Sequence, residues 1–409
     1  MGASSVAELV SCETSGSAGG VHAIDPYSHE FLSNPFADLK RLREAAPAVY
    51  LEQYGIWAVA RYRDVDAILR DHETFSSESG TGIDDLKKSS WRGASILLES
   101  DPPIHTVNRR AVNRAVAPSA LKALRVMFEE RADSLVEKLI TKRQFDAVSE
   151  LAEVFPAEVF PEAFGLKDKN KDMLLAFESM VFNGWGPRND LFEAAMMRAA
   201  EVTNWVHQQC SRAALTDDGL GARIYSAVSA GEITEENADL LVRSFLAAGV
   251  DTTINGIALA IGAFVRNPDQ WELLRRYPDL ARSAFDEALR LESPVIGFFR
   301  TTTCPTTIDG VDILANAKVL VLFAGANRDP DRWERPDDFD IKRKAVGHVA
   351  FGMGVHSCVG QAIARLEAEV LFKALAARIR TWTLVGEPKP RLCNTLRGYS
   401  HLPVEVQPG

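Results

Sequence analysis

The run Phe351-Gly352-Met353-Gly354-Val355-His356-Ser357-Cys358-Val359-Gly360 narrows the possible folds more than any other stretch of this chain. It puts a cysteine directly before residues 359–379, where apolar side chains recur at helical spacing with almost no breakers. Cys358 therefore belongs at a helix N-terminus, where unpaired N–H groups and the positive end of the helix dipole favour an anion and lower a thiol pKa. Gly352 and Gly354 permit a tight turn, and Gly360 lets a flat group approach the backbone. A buried free cysteine is the commoner fate of such a residue. An aromatic, three glycines, a histidine and the cysteine in register favour a metal-ligating thiolate instead.

The 409 residues exceed the usual single-domain size, but no Gly/Ser-rich linker divides them. One large, helix-rich domain is expected over 25–409, after a Ser-, Gly- and Ala-rich tail at 1–24 that is expected to be disordered. A content of 46% apolar and 25% charged residues suits a globular chain with a sizeable core, and a net charge of −10 argues against nucleic acid as a partner. No run of eighteen apolar residues occurs, so no membrane span is expected, and the tail lacks the basic and apolar blocks of a signal peptide. The cysteines (Cys12, Cys210, Cys304, Cys358, Cys393) are scattered and odd in number. That pattern argues against a disulfide scaffold or a structural zinc site and suits a reducing cytoplasm.

Helices are expected near residues 36–46, 63–71, 109–141, 169–181, 191–215, 234–266, 268–276, 278–291 and 359–379. Residues 48–51 and 57–60 read as a hairpin, and 306–314 and 318–323 as further strands, with Asp309-Gly310 as a turn. The longest helix has Thr234 as N-cap, Glu235 and Glu236 in its first turn, and Asn267-Pro268 at its end, a span of roughly 50 Å. Inside it Gly249 and Gly256 flank Thr252 and Thr253, where low propensity and hydroxyl competition for carbonyls favour a kink. A weakened ladder there makes a groove that can hold oxygen and water.

Three further motifs accompany the cysteine loop: Glu287-Ala288-Leu289-Arg290, Ala248-Gly249-Val250-Asp251-Thr252-Thr253, and Asp101-Pro102-Pro103-Ile104-His105 followed by Arg109. In content and order the four resemble the motifs of the cytochrome P450 superfamily, from about Asp25 to the C-terminus. The resemblance implies a mainly α fold with a minor β region, haem b held by Cys358 as axial thiolate, and monooxygenase chemistry with O2. It places Phe351, Gly352 and Gly360 in the haem loop and His105, Arg109, Arg300 and His356 at the haem propionates. It gives Asp251 and Thr252 the delivery of protons during oxygen activation, although an isolated Asp-Thr pair reads more simply as a helix cap or a threonine bonding its own turn. Glu287 and Arg290 become a structural buried ion pair. Its usual third arginine is missing from Pro336-Asp337-Asp338-Phe339, and Arg328 is a candidate replacement.

The same resemblance builds the substrate site from a loop around 89–98, the central helix before Thr252, a loop near Phe182 and the segment after Pro294. The residues so gathered are Arg92, Ser95, Leu98, Phe182, Trp185, Ser244, Ala248, Val295 and Phe298, an aromatic slot with polar groups at one end. Ser244 precedes Thr252 by eight residues, about 12 Å along a helix, so a carboxylate held by Arg92, Ser95 and Ser244 presents its para end to the haem. This is similar to the superfamily members that oxidise para-substituted benzoates, including O-demethylation of 4-methoxybenzoate, in which a phenylalanine is expected where Trp185 stands. From spacing alone the apolar set also reads as core. Two alternatives stand beside this reading: a terpenoid, fatty acid or macrolide substrate on the same fold, and a haem sensor or carrier without turnover. No Gly-x-Gly-x-x-Gly follows a strand, so electrons must come from a separate protein. The resemblance implies an iron-sulfur ferredoxin with its flavoprotein reductase, docking on Arg109, Arg110 and Arg114, and a cytoplasmic monomer.

Overall fold

The computed structural model describes residues 20–88 and 92–409. The expected tail falls mostly outside that range, as do residues 89–91 of the expected roof loop; at its inner end Val21 and Ile24 are buried. Two short helices, α1 (His29–Ser33) and α2 (Phe36–Ala45), lead into the hairpin β1 (Val49–Leu51) and β2 (Ile56–Val59), then α3 (Tyr62–Arg70) and β3 (Phe75–Ser76). A helical body follows: α4 (Ile104–Ala115), α5 (Pro118–Lys142), the strand β4 (Gln144–Asp146), α6 (Val154–Phe164), α7 (Lys171–Gly184), α8 (Asp190–Met196), α9 (Ala199–Gln209) and α10 (Leu220–Ser229). It continues through α11 (Glu235–Leu246), α12 (Asp251–Arg266), α13 (Pro268–Arg276) and α14 (Ala281–Glu292). Next come β5 (Phe298–Thr302), β6 (Thr306–Ile308), β7 (Val311–Ile313), β8 (Lys318–Val321) and α15 (Phe323–Ala326). The chain ends with α16 (Gln361–Arg378), β9 (Ile379–Leu384), β10 (Lys389–Arg391), β11 (Gly398–His401) and β12 (Pro403–Pro408).

Local chemistry explains most boundaries. Asn170, Asn189 and Thr234 cap α7, α8 and α11 by accepting the N–H of Met173, Phe192 and Asn237. The helix expected over 109–141 is two, because Pro118 holds Ala117 extended (ψ 152°) and then opens α5 from its first position. The span 191–215 likewise divides into α8, α9 and a short 3-10 turn. The rod expected over 234–266 is interrupted at 247–250, at the weak point read from Gly249. Residues 235–266 are long and apolar enough to cross a membrane by composition, but most of that stretch is buried inside the protein.

One core packs α5, α12, α14 and α16 together, and a second packs α4, α7, α9, α10 and α11. The largest sheet runs β1-β2-β8-β5-β3, with β2 and β8 parallel and the other pairs antiparallel. Asp309 and Gly310 turn β6 into β7 with positive φ at both positions, as the dipeptide predicts. The cavity described next lies where the two helical cores and this sheet meet.

Candidate active site

The cysteine loop is closed by its own backbone, the Cys358 N–H donating to the Phe351 carbonyl at 2.7 Å. Gly354 turns with φ +68°, and a Cβ there would lie 2.4 Å from the Leu69 carbonyl oxygen, so only glycine fits. Helix α16 starts three residues after Cys358, and the N–H groups of Gly360 and Gln361 are aimed at the sulfur. Burial nonetheless pushes the Cys358 thiol up, against those donors and the Arg109 guanidinium, so the expected lowering is outweighed. A thiol that coordinates a metal loses its proton outright, and the same donors then face an anion.

Cys358, Phe351, Gly352 and Gly360 lie on the wall of a cavity of about 280 Å³. Arg109, Arg300 and His356 reach the same wall. Arg300 is buried, which lowers its guanidinium to about 10, and among the described residues its one side-chain hydrogen bond goes to the Phe299 carbonyl at 2.8 Å. His105 lies behind, its ring 4.4 Å from that of His356, with a buried Nε2 that has no hydrogen-bond partner among the described residues. Burial, His356 and Arg109 lower His105 to about 4, and His356 is anchored by Asp101 at 3.1 Å. Underused cationic and N–H donors beside a cysteine and backbone-narrow glycines suit a flat, anionic metal macrocycle.

Opposite the cysteine lies the break between α11 and α12. A Cβ on Gly249 would fall 2.2 Å from the Phe160 ring, so glycine is required where the helix is interrupted. The freed N–H groups of Val250 and Asp251 both donate to Glu178, a fully buried carboxyl on α7; the Val250 bond is 2.9 Å. Burial and the neighbouring Asp251 push Glu178 well above the usual carboxyl range. Asp251 is 2% exposed and held by both terminal nitrogens of Arg391, at 2.8 Å for one pair. Thr252 lines the cavity and donates its hydroxyl to the Ala248 carbonyl at 2.9 Å. Asp251 itself does not reach the cavity wall. Glu178 and Arg391 escaped the sequence reading. Glu178 did leave a signal, a carboxylate on the face shared with Leu174, Val181 and Phe182; Arg391 left none.

All nine expected substrate residues line the cavity. Ser95 and Ser244 bring their hydroxyl oxygens to 3.4 Å across 149 residues of sequence. Phe182, Trp185 and Phe298 form an edge-to-face series with centroids 5.1 Å apart. Arg92 is on the wall, but its guanidinium makes two 2.6 Å bonds to the buried Glu99, which neutralises the charge assigned to a bound anion. Arg243, missed in the sequence, also lines the cavity, and it makes no ion pair among the described residues.

The ion pair expected of Glu287 and Arg290 is present and fully buried, with bonds of 2.8 and 2.9 Å. Its third member is Arg343, 2.9 Å from Glu287, and not Arg328. Arg328 instead sits on Phe36 and bonds Asp337 and the Leu291 carbonyl, turned away from Glu287. No group of metal-ligating side chains and no disulfide occurs among the described residues.

The cytochrome P450 family profile matches residues 279–396. The chain is 46% identical over 394 residues to cytochrome P450 CYP199A2 of Rhodopseudomonas palustris, with 96% of each chain covered. It is 31% identical over 366 residues to cytochrome P450 107B1 of Saccharopolyspora erythraea, covering 86% of this chain and 89% of that one. Among solved structures, cytochrome P450 CREJ in complex with (4-ethylphenyl) dihydrogen phosphate has a TM-score of 0.83 at 27% identity, covering 95% of this chain and all of that one. Similarity of this extent, on a fold that puts a cysteine at the head of α16, makes the chain a member of the cytochrome P450 family, monooxygenases that use haem iron with an axial cysteine thiolate.

Proposed function

We propose that this monooxygenase oxidises para-substituted benzoic acids, and that with 4-methoxybenzoate it removes the methyl group. The observation that carries the reading is the polarity of the cavity. Two hydroxyls, from Ser95 and Ser244, meet at one end beside Arg243, while Phe182, Trp185 and Phe298 build an aromatic wall. A flat aromatic acid matches both, with its carboxylate on the hydroxyls and its para group toward Thr252 and Cys358. The similar structure of cytochrome P450 CREJ is in complex with (4-ethylphenyl) dihydrogen phosphate, a para-substituted phenyl ester with an acidic head group, which supports a para-substituted aromatic acid as ligand here.

In this reading Cys358 ligates the haem iron, and Arg109, Arg300, His105 and His356 hold the propionates. Bound there, haem supplies the activation of dioxygen for insertion of one oxygen atom into a substrate C–H bond. The Thr252 hydroxyl turns from the Ala248 carbonyl toward the cavity and donates, and the Asp251 carboxylate, on leaving the partly exposed Arg391, takes a proton from solvent and passes it to Thr252. Hydroxylation of the methoxy carbon gives a hemiacetal, which breaks to 4-hydroxybenzoate and formaldehyde. Electrons come from an iron-sulfur ferredoxin served by a flavoprotein reductase, in the cytoplasm. Of the expected dock, Arg109 is drawn inward to the Ser357 carbonyl and Arg114 is paired with Glu232, which leaves Arg110 exposed on α4 without an ion pair among the described residues.

The Arg92–Glu99 pair is the one feature that favours an apolar substrate. Titration of 4-methoxybenzoate into the ferric protein, followed by haem absorbance, separates the two readings. A saturable low-to-high-spin shift is expected, and Ser244→Ala weakens binding roughly tenfold by removing a hydroxyl that turns from the Leu240 carbonyl, 3.0 Å away, to the carboxylate. No shift, in a protein whose reduced carbon monoxide complex still shows thiolate ligation, sinks the benzoate assignment. Binding of an apolar ligand that is unaffected by Arg92→Leu then favours the other.

A further inference from the structure

Lys318, the first residue of β8, points its ammonium into the loop between β3 and the cavity. Its three donors meet three backbone carbonyls, of Ser79 at 2.9 Å, Gly80 at 3.0 Å and Gly82 at 3.2 Å. The loop so gathered touches both ends of the substrate cavity. On the aromatic side Gly82 packs on the backbone of Trp185, where a Cβ would come within 2.8 Å, and Ile83 donates its N–H to the Trp185 carbonyl at 2.9 Å. On the polar side Thr81 gives both its N–H and its hydroxyl to Glu99 at 3.1 Å. Glu99 in turn holds Arg92 and accepts the N–H of Ser95 at 2.9 Å. Phe299 closes the back by donating to the Thr81 carbonyl at 3.0 Å.

We propose that Lys318 is a positioning residue for substrate: its ammonium holds residues 79–83 in the shape that sets Trp185 and Ser95 at the two ends of the cavity, so that substrate affinity depends on the Lys318 side chain. Three carbonyls converging on one point are left without a donor when an apolar side chain replaces Lys318, which loosens the loop. Burial lowers Lys318 to about 8, with Asp85, Glu99 and Asp84 opposing the shift and Lys88 adding to it. The ammonium form therefore prevails at pH 7, where its three donors meet the three carbonyls. The inference rests on the benzoate reading only for its choice of ligand.

Two measurements test it. The first is the 4-methoxybenzoate spin-state titration at pH 7 on the haem-loaded protein, its Lys318→Arg variant and its Lys318→Met variant. Lys318→Arg, which keeps donors for the carbonyls, is expected to bind near wild type, and Lys318→Met, which leaves them unpaired, roughly tenfold more weakly. Lys318→Gln, with two donors, falls between and serves where Lys318→Met does not fold. The second is hydrogen exchange of the Gly80–Ile83 amides at pH 7 without ligand, in which protection is expected to fall in Lys318→Met and to return in Lys318→Arg. This readout needs no substrate to bind. If 4-methoxybenzoate gives no shift with the wild type but exchange still rises in Lys318→Met, the substrate assignment fails and Lys318 keeps its role. Wild-type affinity in the folded variant that lacks the donors, or unchanged protection of its loop, overturns the proposal.

Discussion

Replacing Glu287 by Gln tests the reasoning about buried charge with a magnitude that the structure sets. Glu287 is fully buried and accepts four hydrogen bonds, two from Arg290, one from Arg343 and one from the Asp340 N–H at 3.1 Å. Arg290 spends its remaining donors on the carbonyls of Asn327, Pro336 and Asp338. Gln preserves the volume but leaves the Arg290 charge without its counter-ion and turns an N–H2 group toward other donors. Removing one partner of a buried pair costs about 3–5 kcal/mol. For a 409-residue chain the unfolding entropy is about 0.9 kcal/mol/K, so the midpoint falls by roughly 3–6 °C. The cluster clamps the segment that runs from Arg343 into the Cys358 loop, and haem absorbance is expected to be lost before far-ultraviolet dichroism on heating. A variant that melts within about 1 °C of wild type on both signals refutes the argument. A double-mutant cycle then separates the two arginines: Arg343→Ala couples to Glu287→Gln by about 0.5–3 kcal/mol, whereas Arg328→Ala adds to it independently.

Three other outcomes are expected. Thr252→Ala leaves substrate affinity near wild type but diverts reducing equivalents, so hydrogen peroxide rises several-fold as product falls, and Thr252→Ser restores coupling; unchanged coupling in the alanine variant removes Thr252 from proton delivery. Trp185→Phe enlarges the aromatic end without breaking the Phe182 and Phe298 contacts, and a benzoate with a bulkier para substituent gains about tenfold in affinity over 4-methoxybenzoate, measured by spin-state titration. At Glu292, burial raises the carboxyl but Arg397, Arg266 and Arg328 outweigh it and hold it below its ordinary range. Its stabilisation is thus present above about pH 4.3 and lost as pH falls further, so Glu292→Gln is less stable than wild type at neutral pH and the gap narrows in acid denaturation curves.

What could be read beforehand follows the range of the interaction that decides it. The cysteine loop, the Thr234 cap, the Asp309-Gly310 turn and the weakness around Gly249 are each settled within a few residues, by helix-end donors, a capping hydroxyl or the freedom of glycine, and each stands where its residues put it. Helix α6 was not legible because Val154 to Phe164 is apolar on nearly every face and contains Pro156 and Pro161, which hides both the period and the helical preference. The splits at Pro118 and after α8 were local and readable, but apolar periodicity carried the helix across them.

The polar partners divide in a different way. Asp251 announces itself by its neighbours, but what fixes it lies 140 residues away in Arg391 and 73 away in Glu178, brought together only when α7 and the β10 strand fold against the break. Glu99 stands seven residues from Arg92, close enough for a local pair, yet its place depends on Thr81 in the loop after β3, which Lys318 of β8 holds through the Gly80 carbonyl. A motif can thus name the group that touches substrate or cofactor, because chemistry constrains that group directly. The charge state of the same group is set by whichever side chains the fold brings up behind it. In this chain those supports, Glu178, Arg391, Glu99 and Lys318, come from four different segments. The polarity of the cavity is therefore a property of the packed sheet and loop as much as of the residues that line it.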